Sequence, residues 1–482
     1  MKSTYQLRGT KRKSETSMPE CSSHSNANKR YLDLGRRTIF SLIGKGKPEF
    51  SNVLAQNCNL PEEIWIKIFE FAILGHGSTG FRNLLNLCQV CLSWRNLIVS
   101  SPRFWRVIDL SEIRPTNRND ILSLCDMELF KHTTHLSLAG WGNEMDRNTF
   151  AHLLKKCGNL LGLDVGGCYK FDGHSMSLLI NLAPHLEEID LSKTFNGKMI
   201  NNSRKNPPNL SQFPLFPNLM IEFIEKRGKD LKSINLSENR INQINLIFKA
   251  IVQNCPSLQL LDLSNIDTHS TFCIASDSLL ESCPQLRVLR LCNVAIKPYK
   301  KIESGLPNLE ELCLPNSICE SAINDQILNG FACHSTKLRL LDIRGSSRVT
   351  SNCLLKLPAT DLQYLSIDNC THIFSYGLEL VIDKWKHSLK NIDASQNFYP
   401  QGIEEGINLL VQNSSSPLET LNLRGSSLSF DAVIKLVLSC RRLRMVDLQS
   451  CRALPRGTKR LFRNETEIKE LRKFIYDEKH LR

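Results

Sequence analysis

The chain has 482 residues, of which 41% are hydrophobic and 7% aromatic, and its formal net charge is +13. No stretch approaches 18 uninterrupted apolar residues, and the first residues lack an apolar signal-peptide core, which argues against a membrane span and a secretory signal. Lys and Arg exceed Asp and Glu by seven within residues 1–57 and by five within 452–482, which leaves a net charge of +1 between them. A folded core that gripped phosphates would itself be basic, so this distribution argues against a nucleic-acid-binding protein.

Residues 1–57 form a polar leader rich in Ser, Asn, Lys and Arg, which predicts a disordered basic segment. Its stretches Lys11-Arg12-Lys13 and Lys29-Arg30 fit a nuclear-import signal, and they fit a solvated basic tail equally well. We therefore expect a cytoplasmic or nuclear protein.

Residues 58–106 are dense in apolar residues at helical spacing. Pro61 marks a helix start, the glycine-rich stretch 75–80 interrupts the helix, and Ser101-Pro102 ends the last helix. A unit of about 45 residues is too short to bury this much apolar surface, so we expect it to dock on a partner. The alternative is that the same residues pack only against the segment that follows.

From residue 107 to residue 454 the pattern L-x-x-L-x-L recurs at steps of 23 to 29 residues, as in Leu258-Leu261-Leu263. This period predicts an α/β solenoid, a horseshoe of strand-turn-helix units with an inner parallel sheet and outer helices. One interval of 45 residues, from Leu186 to Leu231, predicts a loop inserted near 195–219. The segment Trp105 to Leu110 fits the pattern one step early, so the solenoid is expected to start within the tail of the helical module. The charged segment 455–482, amphipathic from Lys459 to Phe474, is predicted to cap its other end.

The eighteen cysteines follow the repeat and are expected to be free core thiols. Cys88 and Cys91 have the spacing of half a zinc site, but no second pair lies at zinc-finger spacing. Neither a phosphate-binding loop nor a clear catalytic constellation is visible in the sequence. We therefore expect no metal, no cofactor and no catalytic residue.

The third, fifth and seventh positions of L-x-x-L-x-L-x should face the concave surface, because the fourth and sixth turn into the core. Aspartate dominates the fifth position, which either serves the repeat geometry or forms an acidic strip for a basic partner. Three arginines and two apolar side chains complete the candidate substrate-binding set. The candidates are Asp262, Arg290, Asp342, Arg344, Tyr364, Asp368, Asp393, Arg424, Met445 and Asp447.

Two parts of the chain resemble known families. The repeats, with Cys before and Cys or Asn after the register, are similar to the cysteine-containing class of leucine-rich repeats. The segment 60–105 resembles an F-box, with Leu60-Pro61, Ile68-Phe69 and Val90-Cys91-x-x-Trp94 in that family's order. Leu92 and Ser93 depart from it, since basic or polar residues are usual there. The ending Cys451 to Gly457 is similar to the type-six subgroup of F-box/leucine-rich-repeat proteins.

The combined resemblance implies the substrate-recognition subunit of an SCF-type (cullin-RING) ubiquitin ligase, itself without catalytic activity. It implies a Skp-type adaptor as partner, a cullin and a RING protein through that adaptor, and a protein substrate on the solenoid. A leucine-rich-repeat scaffold or GTPase-regulator-like protein outside the ubiquitin system is the alternative. The residues expected to bind the adaptor are Leu60, Pro61, Ile64, Ile68, Phe69, Leu84, Val90, Cys91 and Trp94.

Overall fold

A computed structural model describes residues 60–74, 80–111, 128–141, 146–194, 217–268, 272–297, 305–315, 323–412, 416–451 and 459–480. The described residues fall into two compact units, one up to Ser100 and the other from Ser101 onward. The predicted disordered leader, its basic stretches and most of the predicted insertion lie outside the described residues. Within the described ranges, no helix is both long and apolar enough to span a bilayer.

The first unit is a small helical module. Its helices are α1 (Glu62–Leu74), α2 (Gly80–Leu87) and α3 (Leu92–Ser100). Helix α1 follows Pro61 directly, and the Pro61 carbonyl accepts hydrogen bonds from the N–H of Ile64 (3.0 Å) and Trp65 (3.2 Å). Proline suits this place because its fixed φ is already helical. Gly80 lets α2 approach α1, since a Cβ at Gly80 would lie 3.2 Å from the carbonyl oxygen of Ile73.

The second unit is a leucine-rich-repeat solenoid with a fourteen-stranded sheet. In sheet order the strands are β1 (Val107–Asp109), β2 (His135–Ser137), β3 (Gly162–Asp164), β4 (Glu188–Asp190), β5 (Ser233–Asn235), β6 (Leu260–Asp262), β8 (Val288–Arg290), β10 (Glu311–Cys313), β11 (Leu340–Asp342), β12 (Tyr364–Ser366), β13 (Asn391–Asp393), β14 (Thr420–Asn422), β15 (Met445–Asp447) and β16 (Leu461–Phe462). All neighbours pair in parallel except β15 and β16, which pair antiparallel. The α/β fold class predicted from the repeat period is thereby confirmed.

The repeat pattern sets the strand register. The fourth-position residues align across the sheet, as Leu261, Leu289 and Leu312 do, and all three are buried. A one-residue slip would turn such a side chain to the concave surface, so burial fixes the pairing. A separate two-stranded sheet of β7 (Cys273–Ala275) and β9 (Ala295–Lys297) was not predicted.

Helices connect most of the strands. They are α4 (Arg147–Lys156), α5 (Gly173–Leu182), α6 (Pro217–Arg227), α7 (Ile244–Asn254), α8 (Ser276–Ser282), α9 (Asp325–Ala332), α10 (Ser351–Lys356), α11 (Thr371–Ser375), α12 (Leu378–Trp385), α13 (Pro400–Gln412), α14 (Phe430–Ser439) and α15 (Glu465–His480). Several begin at a capping residue that accepts a hydrogen bond from the N–H three residues on, as Asp146, Asp172, Asn324, Thr350 and Ser429 do. Helix α6 already starts at Pro217, inside the range predicted for the inserted loop.

The C-terminal segment covers the last repeat. Phe462 pairs with Val446 in the antiparallel ladder, and α15 buries Ile468 and Ile475. Arg472 donates to the carbonyls of Val437 (2.9 Å) and Cys440 (2.8 Å) at the end of α14, where helix carbonyls lack intrahelical partners. The amphipathic segment predicted from Lys459 is thus divided into a strand and a helix, and it closes the sheet edge.

Candidate protein-binding surfaces

One face of α1 carries an apolar stripe that the described residues leave uncovered. Ile64, Ile68 and Phe71 lie one turn apart along the helix, and Leu60 precedes them. Leu60, Ile64 and Ile68 are each 40–45% exposed, and Phe71 is 83% exposed. We call these four residues the α1 stripe. A contiguous apolar surface of this kind on a module this small indicates an interaction site.

An aromatic cluster supports the α1 stripe from behind. The ring centroids of Trp65 and Trp94 lie 5.0 Å apart, and those of Phe69 and Trp94 lie 4.9 Å apart. Such tilted ring pairs contribute about 0.5–1.5 kcal/mol each beyond the area they bury. The cluster joins α1 to α3 and so fixes the rotation of α1 that exposes the stripe.

The structure divides the nine residues expected to bind an adaptor. Leu60, Pro61, Ile64, Ile68 and Val90 are exposed, and Cys91 and Trp94 are half-buried. Phe69 and Leu84 are 0% and 1% exposed and lie in the core of the module, and adaptor contact by any of the nine residues stays a prediction. Sequence reasoning missed Phe71, although its spacing of seven residues from Ile64 was a signal, and it treated the exposed Leu92 only as a departure from the family.

On the solenoid, the fifth-position side chains shape the turn after each strand. In nine repeats the Asp or Asn oxygen accepts a hydrogen bond of 2.8–3.2 Å from the backbone N–H two residues later. The acceptors are Asp109, Asp164, Asp190, Asn235, Asp262, Asp342, Asp393, Asn422 and Asp447. This hydrogen bond is the local turn-forming bond typical of Asp and Asn. The repeat geometry therefore explains the aspartate column.

Two of the three candidate arginines are already paired with carboxylates. Arg290 donates to Glu311 (2.8 Å) and lies 3.9 Å from Asp262, while Arg344 donates two hydrogen bonds to Asp342 (2.9 and 2.7 Å). Partial burial lowers the pKa of Arg290, but the Glu311 carboxylate more than compensates, and its pKa is raised overall. These pairs neutralise the cations in the middle of the sheet.

The candidate substrate-binding residues differ in accessibility. Arg344, Tyr364, Arg424 and Met445 are exposed, and Arg290, Asp368, Asp393 and Asp447 are half-buried. Asp262 and Asp342 are buried, at 7% and 8%, and substrate binding by these candidates stays a prediction. Their outer oxygens face Arg290 and Arg344.

A recess in the concave face lies where sequence reasoning named no candidate. It spans strands β1 to β5, has a volume of about 380 Å³, and includes Val107, His135, Gly162, Glu188, Asp164 and Asp190 in its lining. We call it the β1–β5 recess. The sequence signal for this recess was Gly162. It lacks a side chain, whereas its third-position neighbours on the adjacent strands, His135 and Glu188, have large ones.

The described residues offer no other obvious chemistry. No group of three or more His, Cys, Asp or Glu side chains among them is arranged to hold a metal ion. Fourteen described cysteines are free thiols, and burial raises the pKa of several to about 12, including Cys255 and Cys283. Such thiols are poor nucleophiles at neutral pH.

Comparison with known proteins adds a family for one part of the chain. Residues 57–111 match the model of the F-box-like family, so the resemblance found for this segment is confirmed. The match includes the helical module and strand β1. No curated protein matches the chain.

Several solved structures are similar to the chain at low identity. A chain of the yeast Rad7 and Elc1 complex is 14% identical, with 91% of this chain and 89% of that chain covered and a TM-score of 0.42. An internalin of Listeria monocytogenes is 12% identical, with coverages of 80% and 96% and a TM-score of 0.33. A protein of Bacteroides fragilis is 17% identical, with coverages of 52% and 73% and a TM-score of 0.32.

Proposed function

We propose that this chain is the substrate-recognition subunit of an SCF-type ubiquitin ligase. The observation that carries the proposal is the α1 stripe, an exposed apolar surface on a module that matches the F-box-like family. The stripe fits a Skp-type adaptor that buries Leu60, Ile64, Ile68 and Phe71 by helix packing, and a cullin and a RING protein join through that adaptor. The type-six subgroup is part of this proposal and is supported in part by the sequence ending Cys451 to Gly457.

The solenoid in this proposal holds the protein to be ubiquitinated. Its concave sheet offers Tyr364 and Met445 as apolar contacts and Arg424 as an exposed cation. No residue of the chain need perform chemistry, because tethering raises the effective concentration of the substrate near the ubiquitin-carrying enzyme. We also propose a cytoplasmic or nuclear location, on the basic stretches of the leader.

The experiment compares two triple variants in binding to a purified Skp-type adaptor. The α1-stripe variant Leu60→Ala/Ile64→Ala/Ile68→Ala removes exposed apolar side chains and leaves the Trp65, Phe69 and Trp94 cluster intact. The control variant Leu246→Ala/Leu380→Ala/Tyr476→Ala removes exposed apolar side chains of the solenoid unit. Trp94→Ala would be a poor choice, because losing its ring contacts would disturb the module itself.

We expect the α1-stripe variant to bind the adaptor at least about tenfold more weakly, because truncation of buried interface anchors costs more than about 1 kcal/mol each. The control variant should bind like the wild type, and circular dichroism should show both variants folded. Equal adaptor binding by the wild type and a folded α1-stripe variant would reject the proposal. It would favour a leucine-rich-repeat scaffold outside the ubiquitin system.

A further inference from the structure

The β1–β5 recess is formed by two aligned rows of side chains. The third-position row contains Val107, His135, Gly162, Glu188 and Ser233 in register across five strands. The fifth-position row beside it contains Asp109, Ser137, Asp164, Asp190 and Asn235. Adjacent strands lie about 4.8 Å apart, so the three aspartate carboxylates, from Asp109 on β1 to Asp190 on β4, occupy a strip roughly 15 Å long.

Gly162 leaves room for the imidazole ring of His135. A Cβ at Gly162 would lie 2.4 Å from Cδ2 of His135, so the imidazole ring occupies the space above the glycine. The imidazole Nε2 lies 3.8 Å from the carboxylate of Glu188 on the other side of Gly162. Val107, which is 63% exposed, forms an apolar wall at the β1 end.

The carboxylates of the recess are held in place by hydrogen bonds. Asp164 accepts from Gly166 N–H (2.8 Å) and from Ser137 Oγ (2.7 Å). Asp190 accepts from the backbone N–H of Ser192 (2.8 Å) and, on its other oxygen, from Nδ2 of Asn235 (2.6 Å). These bonds fix the direction of the carboxylates before any partner arrives, which lowers the entropic cost of binding.

The recess differs from the middle of the sheet in its charge balance. Among the described residues, no Lys or Arg forms an ion pair with Asp109, Asp164 or Asp190, whereas Asp342 and Glu311 each have an arginine. Burial raises the pKa of Asp164, and the neighbouring carboxylates of Asp190 and Asp109 raise it further, against the hydrogen bonds from Gly166 and Ser137. Like charges this close oppose one another's ionisation, so a cation in the recess would be stabilised.

We propose that the β1–β5 recess binds an arginine or lysine side chain of a substrate protein, with the cation against Asp164 and Asp190. The mixed apolar and acidic lining suits such a side chain, which buries its stem while its charged end finds acceptors. The described residues provide no three-ligand cluster for a metal ion, and nucleic acid would be repelled. The word substrate here rests on the proposed function, whereas the binding of a basic side chain does not.

The test measures the binding of a fluorescently labelled decapeptide of alternating arginine and glycine to the full chain. Fluorescence anisotropy gives the affinity. The recess variant is Asp109→Asn/Asp164→Asn/Asp190→Asn, which removes three charges but keeps the turn-forming acceptor oxygen. Asn235 and Asn422 already serve that role in their own repeats, so the variant should fold. The control variant Glu225→Gln/Asp230→Asn/Glu281→Gln removes three charges from exposed sites outside the sheet.

We expect the recess variant to bind the peptide at least about tenfold more weakly than the wild type, and the control variant to stay within about twofold. Added salt should weaken wild-type binding, because these charges are partly exposed. The proposal is overturned if the wild type does not bind the peptide, if the recess variant binds within about twofold of it, or if the control variant loses as much as the recess variant.

Adaptor binding by the same proteins separates this inference from the proposed function. The recess variant should bind the Skp-type adaptor like the wild type, and the α1-stripe variant should bind the peptide like the wild type. If the chain binds the peptide through the recess but binds no adaptor, the proposed ligase role is rejected and the proposed binding of basic side chains in the recess stands.

Discussion

Asp172 illustrates how one side chain can hold two repeats together. It caps α5 by accepting a hydrogen bond from Ser175 N–H (2.9 Å), and it accepts another from Nε of Arg147 on α4 (2.8 Å). Partial burial alone would raise the pKa of Asp172, but the hydrogen bonds from Ser175 and Arg147 outweigh burial and lower it. The ionised carboxylate is therefore more stable in the folded chain than in the unfolded chain.

The variant Asp172→Asn keeps a capping oxygen but loses the charge opposite Arg147, and we expect it to lower the free energy of unfolding by about 0.5–1 kcal/mol at pH 7. Because the folded-state pKa is depressed, this difference is present above the ordinary pKa of 3.8 and disappears as pH falls through the folded-state pKa. Urea unfolding of both proteins near pH 7 and below about pH 3 would check it. A difference that is equally large in acid would show that the charge is not its source.

At the scale of single elements, the C-terminal cap packs on the last repeat through the pairing of β16 with β15 and through the bonds of Arg472 on α15 to the end of α14. Ile468 on α15 is 0% exposed, whereas Tyr476 on the same helix is 55% exposed. We expect Ile468→Ala to destabilise the cap by about 2–5 kcal/mol, the usual cost of truncating a buried Ile, and Tyr476→Ala to change it by less than about 0.5 kcal/mol. Hydrogen exchange in 461–480 would measure both, and equal protection in the two variants would contradict the packing of α15.

The positions of strands and helices could be predicted where a side-chain pattern repeats along the chain. They could not be predicted where one contact determines the element. The leucine register located the strands because a shift by one residue would bury the polar column and expose the leucines, as buried Leu163 and half-buried Asp164 show. Strand β16 and the pair β7 and β9 were missed, because they occur once and have no repeated pattern.

The same limit explains why the sequence did not separate exposed from buried candidate residues. Phe69 and Phe71 stand on one helix and are chemically alike, yet Phe69 is 0% exposed and Phe71 is 83% exposed. The rotation of α1 against α3, set by the ring contacts of Trp94, separates them, and helical spacing alone does not give that rotation. Likewise, the repeat pattern placed Asp262 and Asp342 on the concave side but could not show that neighbouring side chains bury them.

At the scale of the whole molecule, cysteines join successive turns of the solenoid. Three of them occupy the same position after the strand. The thiol of each donates a hydrogen bond of 3.2 Å to a carbonyl of the preceding repeat: Cys168 to Leu138, Cys370 to Ile343 and Cys451 to Leu423. Another, Cys283, lies 3.5 Å from the carbonyl oxygen of Cys255 one repeat earlier. Each repeat is thus stabilised mainly by its neighbours, as in other solenoids.

These thiols can report where the solenoid opens. Burial raises the pKa of Cys255 and Cys283 to about 12, so at pH 8 these groups are protonated thiols, which react slowly with alkylating reagents. Burial also raises the pKa of Cys440 and Cys451 near the C-terminal cap. Alkylation of all four therefore requires the surrounding repeat to open.

Nearest-neighbour stabilisation predicts that a weakened cap opens the end of the solenoid first. In Ile468→Ala, alkylation of Cys440 and Cys451 should accelerate at least about tenfold, since a loss of 1.4 kcal/mol raises the open population tenfold. Cys255 and Cys283 should keep their wild-type rates, because several repeats separate them from the cap. Peptide mass spectrometry after timed labelling measures all four rates in one sample. If the four cysteines accelerate together, the solenoid opens as one cooperative unit and the nearest-neighbour description does not hold for it.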